Sequence, residues 1–197
     1  PIIFTKGNTN SVTKVKNSYT LIRKKIFDPS IIFSKIFKSD YNKGVVDNSN
    51  SIFISFFSWL RSSFFIPDSR IFWVRPSVKY LKQYIKENNI EIVLTTGPPH
   101  SMHLIGLKLK KILNIKWIAD FRDPYSNWDI LLNMRPSYFS KIKHKNYENL
   151  FLNNANHVIV THSILLKEFS FHMPNNNITC ISNGSLLPET VSSSKNN

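Results

Sequence analysis

Three short stretches of this chain gather side chains able to do chemistry, and each follows a run of apolar, β-branched residues. The first is Thr95-Thr96-Gly97-Pro98-Pro99-His100-Ser101-Met102-His103. Gly97 allows close backbone approach, while Pro98 and Pro99 fix φ and stiffen the loop. Thr96, His100, Ser101 and His103 supply donors and acceptors there. A helix starting at Ser101 would add free amides and a partial positive end, suited to an anionic or hydroxyl-rich ligand. A plainer reading stands beside this one: Ser101 only caps the helix and the histidines satisfy local backbone groups, which for His103, inside the helix, is the stronger reading. The second stretch, Asp120-Phe121-Arg122-Asp123-Pro124, packs three charges into four residues. A sheet end tolerates that only if the groups pair with each other or with a ligand. If Arg122 pairs with one of Asp120 and Asp123, the other carboxylate stays free to bind a hydroxyl or accept a proton. The third stretch, Asn183-Gly184, is a turn pair with little information of its own.

The elements that must position these loops can be read from periodicity. Val74, Val78, Leu81 and Ile85 recur at helical offsets, and Pro76 suits a first turn, so a helix is expected from Arg75 to about Asn88-Asn89. Ile90 to Thr95 then reads as a short strand buried on both faces. A helix capped by Ser101 follows, with Met102, Ile105, Leu109 and Ile112 on one face. Ile115 to Ala119 is the next strand, and Tyr138 to Asn154 a helix with Tyr138, Ile142, Leu150 and Phe151 inward. His157 to Thr161 is a third strand, Ser163 caps a helix through Phe169, and Ile178 to Ile181 is a fourth strand. Strand and helix alternate with short links, which predicts an α/β fold with a parallel sheet and helices on both faces. In such a sheet, ligands lie beyond the carboxyl ends of the strands, where the three stretches fall. The N-terminal region says less. Ile2 to Phe4 is strand-like, Tyr19 to Phe37 suggests helices broken by loops, and Ile52, Phe53, Phe56, Phe57 and Leu60 suggest a buried helix. Residues 185–197 are expected to form a linker or disordered tail.

Composition bounds the partners. The chain has 197 residues, 42% of them hydrophobic, enough for one domain with a real core. Twenty-six Lys and Arg against 12 Asp and Glu leave a formal charge of +14, which favours anionic partners such as nucleotide phosphates, nucleic acid or an acidic membrane. Lys108, Lys110 and Lys111 form the densest helical cluster, readable as a solvated face or as a phosphate-facing or membrane-facing patch. The lone Cys180 excludes an internal disulfide and fits a reducing compartment, so a cytoplasmic location is expected. No glycine-rich dinucleotide fingerprint, phosphate-loop motif or nucleophile elbow occurs. His100 and His103 with Asp120 and Asp123 lack metal-ligand spacing, so no metal is expected.

Three motifs in order, Ile66-Pro67-Asp68-Ser69-Arg70, then Thr95 to Gly106, then Trp117-Ile118-Ala119-Asp120-Phe121-Arg122-Asp123-Pro124, resemble the N-terminal half of bacterial glycosyltransferases of the GT-B fold. The likeness is to the retaining, family-four-like transferases of polysaccharide synthesis, and it covers about residues 66–184. It implies a Rossmann-like acceptor-side domain over 1–184, without the family's first strand and glycine-rich loop, and a donor-binding C-terminal domain outside this sequence. It implies a hexose moved from a nucleoside-diphosphate sugar, a substrate rather than a cofactor, to a glycan or lipid-linked acceptor. It assigns His100, Asp120, Arg122 and Asp123 to the catalytic cleft, and Thr96, Gly97, Pro98, Pro99, Ser101, His103, Asn183 and Gly184 to substrate contacts. The departing phosphate would assist deprotonation of the acceptor, and no protein nucleophile is required. Where the family usually carries Trp this chain has Tyr125. The basic surface would suit peripheral docking on an anionic membrane, and nucleic acid is not an expected partner. The competing expectation is a non-catalytic basic module that binds nucleic acid through its lysines or supports a partner enzyme.

Overall fold

The computed structural model describes residues 1–15, 18–25, 52–173 and 177–184. The expected helices between residues 26 and 51 and the expected tail at 185–197 lie outside the described residues. Two sheets are present. The smaller has the order β1-β3-β2, with β1 (Ile2–Gly7) parallel to β3 (Thr20–Lys25) and β2 (Ser11–Lys14) antiparallel to β3. A strand at Thr20–Lys25 corrects the expected helical start at Tyr19. This segment is the middle strand, paired on both sides with Ile22 fully buried, and two ladders outweigh a weak local period.

The larger sheet is parallel throughout, in the order β4 (Ile92–Gly97), β5 (Lys116–Phe121), β6 (His157–Val160) and β7 (Ile178–Cys180). Between its strands run α3 (Ser101–Ile112), the short α4 (Asp129–Asn133), α5 (Tyr138–Asn154) and α6 (Ser163–Ser170). They follow α1 (Ile52–Phe64) and α2 (Ile71–Glu87). This is the expected α/β, Rossmann-like class. One face of the sheet carries Thr95, Trp117, Ala119, Phe121, Val158 and Val160, all buried. Phe121 meets His103 of α3 at 4.3 Å and Phe169 of α6 at 5.1 Å between ring centroids, and Trp117 meets Phe151 of α5 at 6.4 Å. Gly106 makes the contact between α3 and β5 possible, since a Cβ there would lie 2.1 Å from the Trp117 indole nitrogen.

On the opposite face, Ile92 is 55% and Leu94 54% exposed. The strand expected to be buried on both faces is therefore an edge strand with one open face, starting two residues later than predicted. An apolar run of this length reads the same in either place, because periodicity does not tell which neighbours exist. Two helix expectations are corrected in the same way. α2 starts at Ile71, so Pro76 lies inside it on an exposed side. In α5, Phe151 is buried and Leu150 partly so, but Tyr138 and Ile142 point to solvent. Phe56 of α1 is likewise exposed, although that helix was expected to be buried.

The sheets meet without pairing. Between edge strands β1 and β4 lies a cavity of about 600 Å³, lined by both strands and by α2. Phe4 of β1 stacks on Trp73 of α2 at 5.5 Å and on Tyr80 at 5.9 Å, so α2 is the element that carries the small sheet.

Candidate functional site

The loop after β4 and the loop after β5 lie side by side. Gly97 pairs with Phe121, and the Arg122 amide donates to the Gly97 carbonyl at 3.0 Å. The first loop turns at once into α3, which places His100 at the helix N-cap. The helix start is capped from elsewhere. Asp68, in the link between α1 and α2, accepts from the Ser101 amide at 2.7 Å and the Ser101 hydroxyl at 2.8 Å. It also accepts from the Arg70 amide at 2.9 Å. Ser101 was expected to be the cap; instead it donates to one, because a carboxylate held at a helix N-terminus is the stronger partner for these donors.

His100 is 3% exposed and packs 4.4 Å from the Tyr125 ring and 5.8 Å from Phe121, with Trp128 edge-on at 6.3 Å. Neither of its ring nitrogens has a hydrogen-bond partner. Burial, with a smaller contribution from His144, pushes its pKa down to about 3, so near neutrality the ring is uncharged, one nitrogen a donor and the other an acceptor. It lines a cavity of about 360 Å³ together with Asp68, Arg70, Pro98, Pro99, Tyr125 and Trp128. Gly97 is required by this packing. A Cβ at that position would come 3.0 Å from His100 Nδ1 and 2.7 Å from His103 Nε2.

Two buried networks hold the wall. The Trp117 indole donates to Thr95 Oγ1 at 2.8 Å, and Thr95 Oγ1 lies 2.9 Å from His103 Nδ1. The Thr95 hydroxyl donates to Nδ1, so His103 keeps its proton on Nε2, which has no hydrogen-bond partner. Full burial, and secondarily His100, hold His103 well below its ordinary pKa. In the second network His144 Nε2 donates to the Ser62 carbonyl at 3.1 Å, since a carbonyl can only accept. Its Nδ1 then accepts from the Tyr125 hydroxyl at 2.9 Å. Burial raises the Tyr125 pKa well above its usual value and lowers that of His144, which suits a neutral pair. Glu148, fully buried, accepts from the Ser126 amide and hydroxyl and from Lys145 Nζ, pinning the turn that presents Tyr125 and Trp128.

The acidic-basic loop faces elsewhere. Asp120 accepts from the Thr96 hydroxyl at 2.8 Å on the open face of the sheet. Arg122 is exposed, and its carbonyl accepts from the Thr161 hydroxyl. Among the described residues, no ion pair joins Arg122 to Asp120 or Asp123. None of these three residues lines the His100 cavity. The structure thus brings Pro98, Pro99 and His100 together in one cavity. Asp120 and Thr96 form a separate pair around the strand ends, and Asp123 sits half-buried in the adjoining turn. Asn183 and Gly184, beyond β7, are exposed.

Sequence reasoning gave no role to Asp68, Trp128, His144 or Glu148. An Asp-Ser-Arg link ahead of a helix is a readable capping signal, but it caps a helix 33 residues on, a distance that no local pattern reports. Of the lysine cluster on α3, Lys110 donates to the Asn154 carbonyl at the end of α5 at 2.6 Å, while Lys108 and Lys111 are exposed. Lys110 therefore serves packing, and the cluster offers a partner two charges rather than three. Ser163 was expected to cap α6; His162 does so, its Nδ1 accepting from the Leu165 amide at 3.2 Å. Among the described residues no group of three or more His, Cys, Asp or Glu could hold a metal ion. Comparison with family models and with curated proteins finds no match.

Proposed function

We propose that this chain is the acceptor-side half of a GT-B-type glycosyltransferase, and that the His100 cavity takes a hydroxyl-bearing ring of the glycan or lipid-linked acceptor. The observation that carries this reading is the unpartnered, uncharged imidazole at the wall of a cavity large enough for a sugar ring. Leaving a buried donor or acceptor unpaired costs about 1–3 kcal/mol, and both nitrogens are closed off from solvent, so a ligand recovers part of this cost where a small turn of the ring brings one nitrogen to the cavity. A sugar hydroxyl both donates and accepts. Trp128 and Tyr125 add flat apolar surface for a ring. The order of motifs along the chain supports the family reading.

In this reading the donor nucleoside-diphosphate sugar belongs to a second domain, and Asp120, Arg122 and Asp123 meet the transferred sugar or the domain that carries it. The acceptor hydroxyl is the nucleophile in this reading, and the leaving phosphate of the donor accepts its proton. Saturation-transfer NMR with a panel of neutral hexosides and short glycans tests the acceptor site. We expect saccharide signals with the wild type and their loss in His100→Phe, with Lys108→Gln/Lys111→Gln unchanged. Salt-sensitive binding of arbitrary oligonucleotides, lost on changing those lysines and paired with no saccharide signal, would replace this reading with the nucleic-acid-binding module.

A further inference from the structure

Where α1 ends and α5 begins, apolar rings and cations share one surface. On α1, Phe56 stacks on Trp59 at 5.9 Å and Trp59 meets Phe64 edge-on at 6.0 Å, a ladder of rings along the helix. Phe64 is 68% exposed. At the start of α5, Tyr138 is 73% and Phe139 81% exposed, the two rings edge-on at 5.8 Å. The helices are joined at this point. The Ser137 amide donates to Ser63 Oγ at 3.1 Å and the Ser140 hydroxyl to the Ser63 carbonyl at 3.0 Å, so Phe64 and the Tyr138–Phe139 pair flank one junction. Large rings are seldom left this open on a surface without a partner.

Charge identifies the partner. Arg135, Lys141 and Lys143 are exposed around the same junction. Neither 52–67 nor 130–147 contains an Asp or a Glu. The nearest carboxylates in sequence are Asp47, outside the described residues, Asp68, committed to the start of α3, Asp129 in the first turn of α4, and Glu148, fully buried and paired with Lys145. Exposed Phe and Tyr rings with a Lys/Arg surround are the composition of an interfacial membrane contact: rings enter the headgroup boundary while cations meet anionic lipid. No helix of the described residues is long and apolar enough to cross a membrane, so contact would be from one side.

We propose that the α1–α5 junction is a docking surface for an anionic lipid bilayer, seated through Phe64, Tyr138 and Phe139 and attracted by Arg135, Lys141 and Lys143. It assigns to one surface the membrane contact expected above from the basic composition, and it rests on the exposed rings and cations rather than on the transferase reading. The same α1–α5 region also borders the His100 cavity, whose rim includes Ser62, Phe65 and Met134, so a lipid-borne ligand would arrive beside that cavity.

Co-sedimentation of the chain with phosphatidylcholine vesicles, with and without 30% phosphatidylglycerol as a probe composition of roughly physiological anionic content, tests the proposal. Binding is expected only with the anionic lipid. Each exposed cation near the surface contributes about fivefold, so Arg135→Gln/Lys141→Gln/Lys143→Gln should weaken binding by about a hundredfold. Tyr138→Ser/Phe139→Ser should weaken it at least tenfold while leaving the thermal midpoint unchanged, since both rings are exposed. As a readout that needs no loss of binding, Phe139→Trp should have its fluorescence quenched by brominated lipid. Equal binding by all variants, or no quenching at position 139, overturns the proposal. A dimer in light scattering that Phe139→Ser dissolves would assign the surface to a second copy. Cross-linking of position 139 to residues 26–51 would assign it to this chain's own segment. Either result also overturns the proposal.

Discussion

An imidazole closed off from water and left without a partner changes how the protein responds to acid. His100, His103 and His144 all have pKa values below the ordinary 6.5, chiefly because burial penalises the charged ring, and for His100 the value falls to about 3. Their folded values are depressed, so above about pH 6.5 both folded and unfolded chains carry them neutral and the full stability is present. As the pH falls, the unfolded chain takes up protons that the folded one refuses. Each such group then costs about 1.4 kcal/mol per pH unit, down to its folded pKa. We expect His100→Gln, a neutral side chain of similar reach, to remove one of these slopes. Between pH 7.5 and 5.0 the wild type should lose roughly 2 kcal/mol more than the variant, measured as urea unfolding free energy. Parallel pH profiles for the two proteins would show that His100 is hydrated and titrates freely. At the same scale Gly97 is fixed by the two imidazoles beside it, so Gly97→Ala should disturb both rings, visible as shifted His100 and His103 resonances.

At the scale of elements, α3 is the piece that aims the site, and two contacts hold it. Asp68 caps it from across the fold with two hydrogen bonds from Ser101 and accepts a third from the Arg70 amide in its own link, and Asp68→Ala should cost about 2 kcal/mol, at the upper end for a helix cap because the donors are half-buried. Asp68→Asn should recover part of this. Gly106→Ala has no room against the Trp117 indole and should cost about 1–3 kcal/mol by overpacking, read as a lowered urea midpoint with an unchanged slope. Much of this architecture was legible beforehand. The alternation from α2 to β7 could be read because each element carries a whole period of apolar residues, and α5 was bounded correctly at Tyr138–Asn154. What could not be read was anything set by distant partners. Thr20–Lys25 becomes a strand through pairing on both sides, β4 is an edge because no strand of the described residues lies beyond it, and Tyr138 and Ile142 of α5 face outward although their spacing suited a core. The site shows the same division. His100 stood out by its position after a strand. Asp68 and Glu148, which support the walls around it, lie 32 and 48 residues away in sequence (100 − 68 and 148 − 100), with nothing local to mark them.

For the molecule as a whole, the unequal sizes of the two sheets predict unequal stability. The main core runs from Trp73 on α2 to Met173 and draws in every strand of the larger sheet. From the small sheet, Ile22 is the fully buried residue, and Phe4 joins the main core only as a partly buried ring stacked on Trp73 and Tyr80. β1 and β4 share no hydrogen-bond ladder, so opening the small sheet breaks no pairing of the large one. Local openings cost free energy in proportion to the contacts they break. Amide hydrogen exchange should therefore find β1 to β3 exchanging as one unit at low free energy, while β5, β6 and α3 exchange only on global unfolding. Phe4→Ala removes the stacked ring that couples the two sheets. It should accelerate exchange across Thr20–Lys25 while leaving Trp117 to Phe121 unchanged. If protection in β3 matched that in β5, or fell with β5 in the variant, the sheets would be one cooperative body. The cavity between β1 and β4 would then be a packing defect within it rather than the boundary between two units.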